Sequence, residues 1–532
     1  MPKFNTAASR PPATSPVKTE AIATGRTHEG GAGYARDAKS ELFLLAVTNM
    51  VGENTYYEQG KDRDARFVNL VRVVAVEDVG WLTRFLLWLR LEANMRSAPI
   101  QAALEAVRAR LASGIAGGNR QLVASVLQRA DEPAEALAYW ISRYGRAVPK
   151  PIRRGIGDAI LRLGNEFNYV KWDSEGKGVT FADLLNLTHP GDRKGSSQAG
   201  RFQGLWQHDL FGYIVKKPHD KAAPIPETLG LLTRREALLA LPLGERRQVL
   251  DDPELLRRAG ITWEALAGWL QGPMDAAAWE AIIPSMGLMA LTRNLRNFDE
   301  AGVSDIVAAT VAARLANAEE VRRSRQFPFR FLAAYKHAPS LRWSYPLEQA
   351  LAHSLANVPA LAGRTLILVD RSGSMFDRIS EKSQLNRADS AAVFGAALAL
   401  RAENADLVQF GTNSQPISYR RGESVLKVVE RFGDLGGTNT AHAVRRHFRS
   451  TVDAHNRVII ITDEQTSGGY YGSDPTEQIP AQVPVYTWNL AGHKHGHAPS
   501  GVGTRHTFGG LSDAAFKLIP ILEARHSAGW PF

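Results

Sequence analysis

Apolar positions recur at helical spacing from about residue 34 to residue 355. Leu42, Leu45 and Ala46 fall on one face of a first segment, and the runs 76–92, 99–112, 119–128 and 133–144 follow with short joints between them. Long alternating stretches of isoleucine and valine are missing here, so no large sheet is expected. Helix pairs with short joints predict an α-solenoid, in which each pair covers its neighbour's apolar face and the array curves. A compact helical bundle is the alternative.

Near residue 361 the pattern changes. An apolar run at 365–369 ends in Asp370-Arg371-Ser372-Gly373-Ser374, a helical stretch follows at 387–402, and further strand-like runs lie at 407–410, 458–463 and 485–488 before a final helical stretch at 512–524. Strands alternating with helices predict an α/β domain with a parallel-type sheet covered on both faces. Ligands of such sheets sit at the carboxyl ends of strands, where Asp370 and Asp463 both fall. Asp370, Ser372 and Ser374 leave one tight loop at every second residue, and Gly436-Gly437-Thr438-Asn439-Thr440 is a second loop able to deliver a hydroxyl. Carboxylate and hydroxyl oxygens suit a hard divalent cation such as Mg2+. Hydrolysis would need an activated water and a base. Glu464, next to Asp463, is the one candidate base, so the centre reads as adhesive rather than catalytic. His493, His495 and His497 alternate in a Gly/Pro-rich loop and read as solvated.

Composition narrows the chemistry. The chain has no cysteine among 532 residues, which excludes disulfides, zinc–thiolate sites, iron–sulfur clusters and cysteine nucleophiles. The net charge is +10; residues 361–532 hold 18 Lys+Arg against 16 Asp+Glu, so the first 360 residues carry +8 of it. Such a surplus attracts phosphate backbones. Three cations gather in Pro149-Lys150-Pro151-Ile152-Arg153-Arg154-Gly155, which reads as a rigid turn before an apolar helix, and guanidinium forks suit phosphate oxygens. Asp192-Arg193-Lys194-Gly195-Ser196-Ser197 is a polar loop with the wrong order for a phosphate-binding P-loop. Tyr56, Tyr57 and Trp172 are candidates for stacking on bases or for the core. No apolar run reaches membrane-spanning length and no signal-peptide core follows the first lysine, so a cytoplasmic protein without a membrane partner is expected. Residues 1–33, rich in Pro, Ala, Ser, Thr and Gly, read as a mostly disordered or extended tail, with the option of packing along another domain.

Asp370, Ser372, Ser374, then Thr438, then Asp463 resemble the metal-ion-dependent adhesion site of von Willebrand factor type A domains. In those domains an acidic group from a partner completes the ion's coordination. The whole chain resembles the Ro60 family of RNA-binding proteins, whose helical half is the TROVE module. The matching stretches are Gly52-Glu53-Asn54-Thr55-Tyr56-Tyr57, the Lys150 segment, Asp183-Leu184-Leu185-Asn186-Leu187-Thr188-His189-Pro190, and the run from Ile283 through Pro284, Met286, Gly287 and Arg293 to Leu295. The resemblance implies a HEAT-like helical ring over 34–355, sealed by a von Willebrand factor A-like domain over 361–532. It also implies a non-catalytic protein that takes single-stranded ends of misfolded or aberrant RNA in a positively charged hole. Small structured Y RNA would bind the outer surface, and an exoribonuclease such as polynucleotide phosphorylase would be a partner. Lys150, Arg153, Arg154 and the rim histidine His189 then fall on the RNA path at the hole. Pro151 and Arg153 depart from the family's residues there but keep the charge. A metal-dependent protein–protein adhesion scaffold without RNA is the alternative function.

Overall fold

The computed structural model of the chain describes residues 13–48, 51–173, 178–191, 201–338, 340–381, 385–467, 474–524 and 526–532. The loop at 192–197 lies outside them. Among the described residues no helix is long and apolar enough to cross a membrane.

From residue 38 to residue 354 the chain is a succession of helices with short joints. The signals that start them are local. Thr180 and Asp183 form a capping box ahead of the Phe181–Thr188 helix, and the Asp78 carboxylate accepts from the Trp81 N–H to open Val79–Leu91. Helices bury their stripes on near neighbours in the chain, often the next but one: Gly60–Glu77 packs on Ser97–Ala112, and Asn119–Val126 on Lys150–Leu163. The second crossing is close because Gly155 has no side chain. A Cβ there would stand 2.7 Å from both the Arg120 carbonyl oxygen and Val123 Cβ. Gly155→Ala should therefore destabilise the array by about 1–3 kcal/mol through overpacking, more than the helix-propensity gain of about 1 kcal/mol returns. A lowered denaturation midpoint checks this; an unchanged or raised one refutes the close crossing.

The C-terminal domain holds a six-stranded sheet in the order β5-β4-β3-β6-β7-β8. The strands are β3 (Arg364–Asp370), β4 (Asn404–Phe410), β5 (Ser414–Pro416), β6 (Arg457–Thr462), β7 (Val485–Asn489) and β8 (Arg505–Gly509). Only β5 runs antiparallel to its neighbour. β3 and β6 are buried along almost their whole length, as expected for central strands covered on both faces. β8, with Arg505 and His506 beside Phe508, lacks the apolar run that announces the other strands. The expected final helix is confined to Leu518–Glu523, because the preceding residues turn to seat Leu511 and Phe516 in the core.

Both ends of the helical array dock on this domain. The Ala38–Thr48 helix is buried from Ser40 onward, as suits a helix apolar on all sides. Its Val47 carbonyl accepts from the Leu511 N–H at 3.3 Å, just past β8. Trp530 and Phe532 pack on the same helices, with Phe43–Trp530 and Phe85–Phe532 ring centroids both 5.2 Å apart. At the other end Lys336 pairs with Asp389 at 2.8 Å, and Arg401 donates to the Leu355 and Val358 carbonyls at 2.6 Å. The two ends also meet directly, where Arg325 donates to the Arg90 carbonyl at 3.4 Å. The array is a ring of helical repeats closed by the α/β domain.

Of the disordered or extended alternatives, residues 13–33 take the extended one, packed along another domain. They run extended along the C-terminal domain, with a small antiparallel hairpin of β1 (Gly25–Arg26) and β2 (Ala32–Gly33). The Thr19 N–H donates to the Ser500 carbonyl at 3.1 Å, and Tyr34 and Gly496 exchange backbone hydrogen bonds at 2.9 and 3.0 Å. Composition pointed to disorder because little apolar surface is available; backbone pairing with loops of a distant domain holds the segment instead. Arg36 ends it in a buried ion pair with Glu464 at 2.5 Å.

Candidate metal centre and basic surfaces

β3 and β6 lie side by side and parallel, so Asp370 at the end of one and Asp463 just past the other stand on the same rim. The Ser372 N–H and the Thr462 hydroxyl each donate to the Asp370 carboxylate, at 2.9 and 2.6 Å. The Ser372 and Ser374 hydroxyls are 3.3 Å apart. The Thr438 loop is tied in from both sides: the Gly373 N–H donates to the Gly436 carbonyl at 2.6 Å, and the Ser467 hydroxyl to the Thr438 carbonyl at 3.0 Å. Asp370, Ser372, Ser374, Thr438 and Asp463 are all buried. Burial, and then the charge of Asp370, push Asp463 up to about 7, and burial raises Asp370 as well. Two buried carboxylates set among hydroxyls form a donor set that a divalent cation would balance.

Glu464, the candidate base, is buried in an ion pair with Arg36 at 2.5 Å, and its carboxylate also accepts from the Asn489 side-chain amide. The histidine loop is not solvated: His493 and His497 are buried, and His493 Nδ1 lies 3.0 Å from a Glu58 oxygen. Among the described residues no group of three His, Asp or Glu side chains forms a metal site. Burial pushes His493 and His506 each down to about 4, so both are neutral in the fold. The unfolded chain protonates such rings below about pH 6.5. The stability they confer is complete above that pH and is lost as pH falls towards 4. Urea midpoints measured between pH 7.5 and 4.5 should fall, and His506→Phe should flatten the fall; a flat wild-type profile refutes it.

Two basic features lie on the helical ring. The first is the cluster expected from sequence. Lys150 is the first residue of the Lys150–Leu163 helix, so the stretch is a helix start with Pro151 in its first turn, rather than a turn before one. Lys150 and Arg153 are exposed, Arg154 is half-buried, and none of the three takes part in an ion pair among the described residues. No acidic residue occupies that first turn, so three cations crowd the positive end of the helix dipole. His189 caps the Phe181–Thr188 helix in the left-handed region at φ 47°. Gly157 faces Thr188 and Pro190, which brings His189 beside the same helix.

The second feature is a cavity of about 810 Å³ where the two ends of the array meet. Arg90, Arg96 and Arg129 line it from one end and Arg293, Arg323, Arg325 and Arg330 from the other, with Arg323 paired to Glu319 at 2.7 Å. On the first side acids balance the charge: Arg90 pairs with Glu132 at 2.8 Å, and Arg96 and Arg129 with Asp131 at 2.8 and 2.6 Å. Among the described residues Arg293, Arg325 and Arg330 have no acidic partner. Enclosure, and then the like charge of Arg293, lower Arg330 from its ordinary value. Trp172 stacks under Arg129 at 4.6 Å.

The TROVE domain family matches residues 258–360 of this chain. The RNA-binding protein RO60 of Caenorhabditis elegans is 26% identical over 246 residues, which cover 38% of this chain and 38% of that protein. The chain is thus similar to these proteins over part of its length, and it spans about two fifths of the Caenorhabditis elegans relative. Its fold is that of the crystal structure of the Deinococcus radiodurans RO (RSR) protein, with a TM-score of 0.60 at 18% identity over 91% of this chain and 99% of that one.

Within the ring the cluster and the cavity are separate. None of Lys150, Arg153, Arg154 and His189 lines the cavity. The far end of their helix, at Arg162, donates to the Leu127 carbonyl beside the cavity's Gln128 and Arg129. Lys150 at its start is 12 residues away, or about 18 Å along the axis. The cavity arginines went unnoticed because they come from helices up to 240 residues apart; only Arg293, inside the Ile283–Leu295 stretch, carried a signal.

Proposed function

We propose that this protein binds RNA without processing it, taking a single-stranded end at the arginine cavity while the Lys150 cluster holds the phosphates of a more structured region. The cavity carries the reading: three guanidiniums without acidic partners face one enclosed space where the ring closes, an arrangement that an incoming phosphodiester would neutralise. Similarity to the RNA-binding protein RO60 of Caenorhabditis elegans supports RNA as the ligand. Misfolded or aberrant RNA and Y RNA are the proposed classes, with an exoribonuclease such as polynucleotide phosphorylase receiving the end. The engagement of Glu464 by Arg36 supports a non-catalytic role, since it removes the one carboxylate next to the centre that was available as a base.

We further propose that Asp370, Ser372, Ser374, Thr438 and Asp463 hold one divalent ion, Mg2+ by the hardness of the oxygens. Its chemistry there would be charge balance and attachment, with the two aspartates as anionic ligands and the three hydroxyls completing the set.

Fluorescence anisotropy on a duplex with a single-stranded 3′ tail, against the same duplex blunt-ended, tests the RNA reading. The tailed form should bind more tightly, and both should weaken steeply with salt. Replacing Lys150, Arg153 and Arg154 together by alanine should lower affinity for the duplex portion and reduce the logarithmic salt slope by about 0.9 per lost duplex contact. Equal, salt-insensitive binding of both forms, or none, would overturn the proposal.

A further inference from the structure

We propose that the α/β domain carries a binding site for a nucleoside phosphate, in a cavity at the edge of its sheet and at the opposite end of the strands from Asp370 and Asp463. The inference stands independently of the RNA reading and of the metal site.

The cavity measures about 560 Å³, within the roughly 300–1,000 Å³ typical of small-molecule sites. It opens where β3 and β4 begin, at Arg364 and Asn404, and where the chain leaves β5. Arg364 is the first residue of β3 and Asp370 the last, so the cavity stands about 20 Å from the aspartate rim along the strand. Two basic stretches supply its cations. Arg421 follows β5, Arg446 is in the last turn of the Thr440–His447 helix, and Arg449 lies just past it. The domain as a whole is almost neutral, with 18 Lys+Arg against 16 Asp+Glu from residue 361 onward, so this is a local concentration of charge.

The acids that line the cavity are committed elsewhere. Asp406 accepts two hydrogen bonds from Arg364, both at 2.9 Å, and its Oδ2 lies 2.8 Å from His455 Nε2. His455 Nδ1 accepts from the Arg449 N–H at 3.0 Å, so the ring's proton sits on Nε2 and is given to Asp406. Glu403 accepts from the Gly363 N–H at 2.6 Å. Arg449 comes no closer to Asp406 than 4.0 Å, and Arg421 and Arg446 take part in no ion pair among the described residues. Arg421, Arg446 and Arg449 are all exposed. An anion between them would relieve their mutual repulsion, and their planar forks match phosphate oxygens.

The remaining wall is apolar. Ile417 is buried, with its N–H donated to the Leu407 carbonyl at 2.7 Å, and Leu400 lines the same cavity. Tyr419 is half-buried, and its hydroxyl donates to the Ala405 carbonyl at 2.9 Å, which fixes the ring. A fixed aromatic ring beside apolar side chains gives a base a surface to stack on. Inorganic phosphate alone would leave this half of the cavity empty. Cations on one side and a ring with aliphatic side chains on the other suit the two ends of a nucleotide.

The test is titration calorimetry of the full chain with ADP at 0.1 M salt. Adenosine and pyrophosphate, which each carry half of the ligand, should bind at least about tenfold more weakly than ADP. Arg421→Ala/Arg446→Ala should weaken ADP binding about tenfold or more, because charge-assisted contacts are lost. Arg420→Ala/Arg445→Ala removes the same charge from neighbouring positions that do not line the cavity, one of them in the same helical turn as Arg446. Its effect should stay within about twofold, since charges without contact are screened at this salt. A hexa-adenylate with a 5′-phosphate, against the same hexamer with a 5′-hydroxyl, separates the two sources of the ligand. A phosphate-dependent affinity that Arg421→Ala/Arg446→Ala abolishes, without ADP binding, makes the ligand the terminal nucleotide of a strand; ADP binding makes it a free nucleotide. Binding of neither at this site, an equal loss in both double variants, or pyrophosphate bound as tightly as ADP overturns the inference.

Discussion

Replacing Arg293, Arg325 and Arg330 together by alanine should weaken binding of a single-stranded 3′ tail by about 100-fold at 0.1 M salt. Each phosphate contact on a single strand contributes about 0.7 to the logarithmic salt slope. Three lost contacts reduce the slope by about 2, which corresponds to two decades of affinity between 1 M and 0.1 M salt. The effect should exceed that of removing Arg90, Arg96 and Arg129, because those guanidiniums already face Glu132 and Asp131. Truncating them also leaves the acids without cations, which would repel RNA and destabilise the wall together. The second trio leaves no such residue behind. The measurement is anisotropy of a tailed duplex across a salt series for wild type and both triple variants. Parallel salt lines for wild type and the Arg293 trio would remove the cavity from the RNA path.

Much of the architecture was legible because its signals are local. The change from helical to strand spacing near residue 361, the apolar strands ending at Asp370 and Asp463, and the Asp-x-Ser-x-Ser loop are each contained within a few residues. The parallel pairing of β3 with β6 then follows from the α/β pattern and puts both aspartates on one rim. What escaped depends on closure. The seven cavity arginines lie between positions 90 and 330 and meet only because both ends of the array dock on one domain. Tyr57 had the look of a base-stacking or core residue, and its stack on His28 and bond to Glu29 depend on a hairpin in a segment that composition read as disordered or extended. Glu464 was read by its neighbour in sequence, yet its carboxylate is taken up by Arg36, 428 residues away, and nothing in a local window carries that information.

The Arg36–Glu464 pair should be the most costly single contact to break. Both side chains are fully buried, the ion pair measures 2.5 Å, and Arg36 also donates to the His493 carbonyl at 2.7 Å. Removing one partner of a buried pair leaves an uncompensated charge and costs about 3–5 kcal/mol, whereas removing both together is close to neutral. Arg36→Met should therefore strip the 13–36 segment from the domain, since undocking lets water reach Glu464 at a smaller cost than keeping it dry and unpaired. Limited proteolysis should cut within residues 13–36 of Arg36→Met under conditions where the wild type is resistant, and its denaturation midpoint should fall. The double variant Arg36→Met/Glu464→Gln should recover most of the loss, because the amide can still accept from Asn489 without carrying a charge. If the double variant is as sensitive as the single one, the ion pair is not what holds the segment. The backbone pairing at Thr19, Tyr34 and Gly496 would then bear that load, and Gly496→Pro, which removes the N–H given to the Tyr34 carbonyl, should be the more damaging change.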